Sequence, residues 1–178
     1  MSSVESGLGD PVNYDKAWNH NNPTKRKMWR AGIQKELKSM KNKRVWKVIK
    51  KENIPLNHHL IGNKWVFKTK KDKVHHTRLV VLRYSQILGL DYTDNFAPMI
   101  NDVTFRIILM IALVKGWDTD VMNVETTFLY GDLDEEIFME FLEGYKSVRM
   151  GGDNECLALQ KALYGLMQAA CQWWKKFM

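Results

Sequence analysis

Apolar side chains recur with helical spacing in one segment of the first third of the chain. Within residues 23–43 they lie three or four positions apart, with Lys and Arg on the opposite side, at Trp29, Ile33, Leu37 and Met40. This pattern predicts an amphipathic helix over 23–43, which Asn22 or Thr24 can cap. The 22 residues before it are polar and aperiodic, which predicts a loose leader with one helical turn around Tyr14–Trp18.

A strand pattern follows the predicted helix. Residues 63–69 place Trp65 and Phe67 on one face and Lys64 and Lys68 on the other, and residues 77–84 form a second run rich in apolar and β-branched side chains. The connection between these two runs is short and polar, so the pattern predicts a β-hairpin. A short strand is also predicted before the hairpin, at 45–49.

The second half of the chain begins with a strongly apolar segment. Residues 102–115 predict a helix that begins at Asp102 or Thr104 and ends at Gly116. Residues 117–124 then predict a buried strand that packs against this helix.

The remaining residues predict further short elements. The acidic segment 132–136 predicts a surface turn, and 137–141 predicts a short strand. Residues 156–178 begin with a strand pattern and continue as a helix over 165–177, whose apolar face (Trp173, Trp174 and Phe177) is expected to be exposed. The predicted fold class is therefore α+β, with antiparallel strands and packed helices.

Composition excludes several classes of protein. The 178 residues are 45% hydrophobic and 26% charged, which excludes a disordered or low-complexity chain. The longest apolar run, 107–114, is far shorter than the roughly 20 residues needed to cross a bilayer. Two cysteines are too few for a disulfide framework. These features predict a soluble intracellular protein with no membrane partner, and they leave its compartment and oligomeric state open.

Charge divides the chain into two parts. Residues 23–83 carry 19 basic and three acidic side chains, whereas residues 84–147 carry three basic and 12 acidic ones. A basic segment followed by an acidic one favours a polyanion-binding surface beside a site that can hold cations. Two ordinary solvated surfaces are the alternative interpretation.

Seven motifs follow one another in a specific order. They are Trp29 with Glu36-Leu37 and Trp46, KWVFK at 64–68, RLV at 78–80, GLDYTDNFAPM at 89–99, TFRIILMIAL at 104–113, NVETTFLYGDLDEEIFM at 123–139 and LQKALYGLMQA at 159–169. From about residue 14 to the last residue, this series resembles the reverse transcriptase domain of Ty1/copia-type retrotransposon polyproteins. The resemblance implies a right-hand polymerase fold. It divides the chain into a polar leader at 1–22, fingers at about 23–100 and a partial palm at about 101–178.

The resemblance also implies an RNA-directed DNA polymerase chemistry. In that family two Mg²⁺ ions, held by carboxylates, activate the primer 3′-hydroxyl and stabilise the leaving oxygen. Asn123 stands where the family has its first metal-binding Asp, and Glu125 is a weak substitute. The family's second carboxylate pair is an Asp-Asp, and the 178 residues contain no such dipeptide. No catalytic site is therefore expected to be intact, and productive Mg²⁺ binding is not expected.

Other positions of the family pattern are retained. The resemblance assigns Phe128, Gln168 and Arg78 to the nucleotide site. It assigns nucleic-acid binding to the basic hairpin residues Lys64, Lys68, Lys70, Lys71 and Arg78. Core packing is the alternative role for Phe128, and a solvated surface is the alternative for the lysines.

Three interpretations of function follow. The first is a degenerate, truncated retrotransposon polymerase that does not catalyse DNA synthesis. The second is a non-catalytic module that binds RNA or DNA without sequence preference and needs no small-molecule cofactor. The third is an unstable relic without function. Binding of nucleic acid by the purified chain separates the second from the third.

Overall fold

The computed structural model describes residues 9–70, 74–98, 100–144 and 154–178. Its helices are α1 (Tyr14–Trp18), α2 (Pro23–Asn42), α3 (Asp102–Lys115) and α4 (Ala169–Phe177). Its strands are β1 (Trp46–Lys50), β2 (Leu60–Ile61), β3 (Asn63–Thr69), β4 (His75–Val81), β5 (Asp132–Met139) and β6 (Glu155–Lys161). Helices and mainly antiparallel strands confirm the predicted α+β class.

The strands form two sheets. Four of them lie in the order β1-β6-β5-β2, with antiparallel pairing except between β2 and β5. The second sheet is the predicted hairpin, in which β3 and β4 pair without a bulge from Asn63 opposite Val81 to Thr69 opposite His75.

The amphipathic helix forms as its spacing predicts. The Asn22 side chain caps α2 by accepting hydrogen bonds from the backbone N–H groups of Thr24 and Lys25. Trp29, Ile33 and Met40 are buried in the core, whereas Leu37 is only half-buried. The stripe that periodicity identifies is therefore the face that α2 packs against the hairpin and sheet.

The described part of the leader is packed rather than loose. The predicted helical turn forms as α1, where Ala17 is fully buried and the rings of Tyr14 and Trp18 stack with centroids 5.4 Å apart. Asp10 accepts hydrogen bonds from both the backbone and the hydroxyl of Thr69. The prediction of a loose leader, made from its polar composition, is therefore wrong for the described residues. A few aromatic and small side chains are enough to pack a short segment against the core.

The apolar segment in the middle of the chain forms a helix but is not buried. Asn101 caps α3, and Gly116 ends it with a φ of 64°. Within α3 only Ala112 is buried, and residues 117–124 form no strand, with Val121 and Met122 almost fully exposed. The predicted buried strand packed against this helix is therefore wrong. Apolar character makes a segment suitable for burial, but burial also needs a partner surface, and the described residues supply none here.

The acidic segment is also different from its prediction. Residues 132–136, predicted as a turn, are the first half of β5, which pairs with β6 through an irregularity between Asp132 and Ile137. The predicted turn is wrong: lysines pair with Asp132 and Asp134, and Thr93 and Gln168 donate to Glu135, so these carboxylates have partners within a strand. The strand predicted at 137–141 ends at Met139.

The C-terminal helix has the expected exposed apolar face but begins later than predicted. α4 begins at Ala169, later than the predicted residue 165, because Gly165 occupies a left-handed turn. Trp174 and Phe177 are exposed by 39% and 69%, as expected for a helix with an uncovered apolar face. Across the described residues, no helix is both long and apolar enough to cross a membrane.

One turn joins the two sheets. The N–H of Val81, at the end of β4, donates to the carbonyl oxygen of Tyr164 over 2.8 Å. The next residue, Gly165, has a φ of +95°, and a Cβ there would collide with the carbonyl oxygen of Val81 and lie 2.8 Å from the Val80 side chain. Only glycine combines that backbone conformation with so close an approach.

Replacing Gly165 tests this joint. We expect Gly165→Ala to lower the free energy of unfolding by about 3 kcal/mol, because the left-handed strain and the collision add. Gly89→Ala is the matched control. Gly89 also has a positive φ, of +84°, but has no neighbour within 4 Å, so its cost should be about 1 kcal/mol. Urea unfolding monitored by circular dichroism measures the free energy of unfolding of both variants. Equal losses of stability would contradict the close approach proposed at Gly165.

Candidate nucleic-acid interface

The hairpin presents one basic face. Residues directly opposite each other in an antiparallel pair share a face, and Arg78 on β4 lies opposite Val66 on β3. Lys64 and Lys68 are two positions either side of Val66 and so lie on the same face. The side chains of Lys64, Lys68 and Arg78 are exposed. We call this surface the basic hairpin face, and Lys70 extends it at the end of β3.

The opposite face of the hairpin holds it in place. Trp65, Phe67 and Leu79 are buried there, and the ring of Phe67 meets Trp29 of α2 edge-on with centroids 5.5 Å apart. Gly32 of α2 approaches Thr77 so closely that a Cβ would lie 2.6 Å from its hydroxyl oxygen. The apolar side of β3 and β4 therefore fixes the direction in which the lysines point.

Arg78 takes part in an aromatic contact that sequence reasoning missed. Its guanidinium carbon lies 4.9 Å from the centre of the Tyr164 ring, and the Tyr164 ring meets Phe128 edge-on at 5.3 Å. Two of the three predicted nucleotide-site positions, Arg78 and Phe128, thus meet on one tyrosine. The signal in the sequence that could have indicated this contact is the Tyr-Gly pair inside the LQKALYGLMQA motif. A glycine that allows two backbone segments to approach closely also brings the side chain of its neighbour, here Tyr164, close to the other segment.

A buried carboxylate lies beneath this contact. Burial raises the pKa of Glu36 on α2, and the Arg78 charge and a hydrogen bond from the Leu79 backbone oppose that rise. Burial also raises the pKa of Tyr164, with Arg78 acting in the opposite direction. Arg78 is therefore attracted both to an acidic group and to an aromatic ring, which restrains a side chain that would otherwise be mobile.

Gln168 lies inside the protein. Its side chain is fully buried, and its amide nitrogen donates to the Asp91 carbonyl oxygen over 2.8 Å and to Glu135 over 3.3 Å. Its amide oxygen accepts from the Gln86 side chain over 3.1 Å, and Gln86 in turn accepts from the Met167 backbone N–H. In this structure Gln168 ties the segment before α3 to the start of α4.

Asn123 and Glu125 precede Phe128 in the chain and lie outside the helices and strands. Both are exposed in the irregular segment after α3. Phe128 follows them in a 3₁₀ turn, Thr127–Tyr130, and is half-buried. Lys71, a further predicted binding residue, lies outside the described residues.

The acidic residues of β5 are paired with neighbouring side chains. Asp132 accepts hydrogen bonds from Lys161 and Lys176, both at 2.8 Å, and these bonds lower its pKa. Hydrogen bonds from Gln172 and Lys175 lower the pKa of Asp134 in the same way. These carboxylates are charged at neutral pH and pair with lysines and an amide of β6 and α4.

Comparison with known proteins gives the identity of the family. The fold is α+β, and its hairpin presents an exposed basic face. A family model described as reverse transcriptase (RNA-dependent DNA polymerase) matches residues 43–178. The chain belongs to the reverse transcriptase family, and the resemblance seen in the sequence is confirmed.

Named relatives come from plant retrotransposons. The chain is 36% identical over 160 residues to a retrovirus-related Pol polyprotein from transposon TNT 1-94 of Nicotiana tabacum, a match that covers 87% of this chain and 12% of that protein. It is 29% identical over 151 residues to the corresponding polyprotein from transposon RE1 of Arabidopsis thaliana, covering 82% and 10%. The chain therefore spans about a tenth of the length of these relatives. No solved structure matches it.

Magnesium is the metal that the reverse transcriptase family generally uses. At phosphoryl-transfer sites each Mg²⁺ is held by one or two carboxylates together with substrate phosphates and water. Asn123 offers an amide instead, and Asp132 and Asp134 are held by lysines. Within the part of the chain that the structure describes, no group of three or more His, Cys, Asp or Glu side chains could hold a metal ion. The described residues do not fit a two-metal site.

The buried amide of Gln168 supports a structural prediction. We expect Gln168→Leu to lower the free energy of unfolding by about 1–3 kcal/mol, because the Asp91 carbonyl and the Gln86 amide would lose a buried partner. Gln34→Leu on the exposed side of α2 is the control and should change it by less than about 0.5 kcal/mol. Thermal or urea unfolding measures both, and equal stability of the two variants would show that the buried bonds contribute nothing.

Proposed function

We propose that this chain is a reverse transcriptase-family module that binds RNA or DNA through the basic hairpin face and does not itself synthesise DNA. In this proposal β3 and β4 form the fingers hairpin, and the sheet of β5 and β6 belongs to the palm. Membership of the family supports the proposal, since that family binds template and primer strands. The observation that carries it is the convergence of exposed Lys64, Lys68 and Arg78 on one rigidly backed face.

The geometry suits the phosphate backbone better than the bases. Lysine ammonium groups are compact, strongly hydrated charges that bind phosphate oxygens without reading sequence. Lys64 and Lys68 stand four positions apart on one face of β3, about 13 Å along the strand, so they can contact different phosphates of one nucleic-acid strand. Such a surface binds any strand, so we propose sequence-independent binding.

A nucleotide can also contact the two aromatic rings, Phe128 and Tyr164, that lie beside the basic hairpin face. The half-buried rings of Phe128 and Tyr164 stand next to Arg78, and aromatic rings stack with bases of any sequence. We therefore assign Phe128 and Arg78 to a nucleotide-contacting surface and Gln168 to its support. Gln168 acts through the buried bonds that position the turn at Tyr164.

The absence of catalysis is the second half of the proposal. In-line phosphoryl transfer with two metal ions needs carboxylates that hold both ions a few ångströms apart. Asn123 in place of Asp removes one charge, and Glu125, exposed in an irregular segment, belongs to no cluster of three or more potential metal ligands among the described residues. Binding without turnover is what this donor set supports.

The salt dependence of the affinity for DNA tests the proposed binding of nucleic acid. Four phosphate contacts, from Lys64, Lys68, Lys70 and Arg78, should give a slope of log K against log salt of about −3.5 on duplex DNA. Changing the three lysines to Gln should flatten that slope by about 2.7, because each lost contact no longer releases counterions. Fluorescence anisotropy with duplexes of two unrelated sequences measures the slope.

The control for this experiment removes the same charge elsewhere. Lys25, Lys38 and Lys115 are exposed and lie off the hairpin, so their triple change to Gln should leave the slope nearly unchanged. Equal effects of the two triple variants would indicate that net charge alone attracts the nucleic acid. No binding by the wild-type chain at low salt would favour the interpretation as a relic.

A primer-extension assay tests the catalytic half. We expect no nucleotide incorporation by the 178-residue chain with Mg²⁺ or Mn²⁺ on an RNA or DNA template. Asn123→Asp should not produce activity either, because one added carboxylate cannot hold two cations in the geometry that in-line transfer requires. Template-dependent incorporation by the wild type would overturn the proposal and would direct attention to Glu125 as a metal ligand.

A further inference from the structure

A second basic surface lies at the other end of α2 from the hairpin tip. It is a groove of ≈ 500 Å³ between the end of α2, strand β1 and the end of β6. The side chains that matter there are four cations, one indole and one carboxylate: Lys41, Arg44, Lys47, Lys161, Trp46 and Asp132. We call it the basic groove. It shares no residue with the basic hairpin face.

The groove carries excess positive charge. Asp132 is the only carboxylate among its described lining residues, and it is already paired with Lys161 and with Lys176. Lys41, Arg44 and Lys47 are exposed and make no ion pair with a described carboxylate. Like charges brought together on three separate elements repel each other, so the arrangement is complementary to a bound polyanion.

The size and lining of the groove identify the kind of anion. Its volume falls in the range of about 300–1,000 Å³ that nucleotide-sized ligands occupy, well above the need of a single phosphate. Half-buried Trp46 lines it beside the cations, and a base can stack on an indole while its phosphates meet Lys and Arg. A single strand, whose bases are free to stack, fits this combination better than a duplex does.

A cation lies over an aromatic ring beside each of the two basic surfaces. Lys43, next to Arg44, places its ammonium 3.4 Å from the centre of the Tyr130 ring. Tyr130 shares one 3₁₀ turn with Phe128, which meets Tyr164, and Tyr164 lies under Arg78. The 3₁₀ turn Thr127–Tyr130 therefore contributes an aromatic ring to a cation contact beside the groove and another to the Tyr164 contact beside the hairpin.

We infer that the basic groove is a second binding site for single-stranded RNA or DNA, in addition to the hairpin surface. The inference rests on the proposed function, since it assumes that the chain binds nucleic acid. It adds a site that the hairpin alone does not provide. It also gives Trp46 and the end of α2 a role in holding a strand.

Paired substitutions test the basic groove against the hairpin. The groove variant is Lys41→Gln with Lys47→Gln, the hairpin variant is Lys64→Gln with Lys68→Gln, and the control is Lys25→Gln with Lys115→Gln. The probe is a fluorescent 20-nucleotide oligothymidine, and anisotropy is followed across salt concentrations. Each of the first two variants should flatten the slope of log K against log salt by about 1.4, because single strands lose about 0.7 per phosphate contact. The control should match the wild type.

Two further measurements locate the ligand and its source. Ultraviolet crosslinking of a 4-thiothymidine strand to the unmodified wild-type chain should label the peptide that contains Trp46, and this readout needs no substitution. Tripolyphosphate, a probe without bases, should compete only weakly with the oligothymidine. Strong competition, with crosslinking absent at Trp46, would assign the groove to free polyphosphate and overturn the inference.

The outcomes separate this inference from the proposed function. A groove variant that behaves like the control, while the hairpin variant loses affinity, would overturn the second site and leave the hairpin proposal intact. A wild-type chain that binds no strand at all would overturn both. Reduced binding by both variants, with crosslinking at Trp46, is the result that supports two surfaces.

Discussion

The close approach of the Tyr164–Gly165 turn to the end of β4 is the contact on which the rest of the site depends. It joins the hairpin, built from the first half of the chain, to the sheet that contains the last strand. A single hydrogen bond from Val81 holds it, and the lack of a side chain at Gly165 permits it. Without this approach Tyr164 would not lie under Arg78, and the hairpin would be held by α2, by α1 through Tyr14 and Trp65, and by the segment after β5.

The basic surfaces depend on apolar packing behind them. Exposed lysines keep their hydration and contribute little to stability, so their arrangement follows from the strands that carry them. Buried Trp65, Phe67 and Leu79 orient the hairpin, and Trp29 and Ile33 orient α2. Apolar packing also positions the cations of the basic groove, because Met40 and Val45 are buried where α2 ends and β1 begins.

Hydrogen bonds and ion pairs of polar side chains determine which of the predicted helices and strands form. Two carboxylates of β5, Asp132 and Asp134, are accommodated in a strand because Lys161, Lys175 and Lys176 pair with them. The apolar helix α3 forms from its own caps, Asn101 and Gly116, although little of it is buried. Local hydrogen bonds can complete a helix, whereas a strand requires a neighbour, and this explains why α3 formed and the strand predicted at 117–124 did not.

The sequence by itself determined the amphipathic helix, the hairpin with its buried and basic faces, the ends of α3, the α+β class and the reverse transcriptase family. These are encoded locally, in periodicity, caps and motifs. Tertiary structure alone decided that Gln168 is buried, that Tyr164 joins Arg78 to Phe128, and that cations from α2, β1 and β6 surround one groove. Those features bring together residues far apart in the chain, and such contacts depend on how whole elements pack, which no local pattern records.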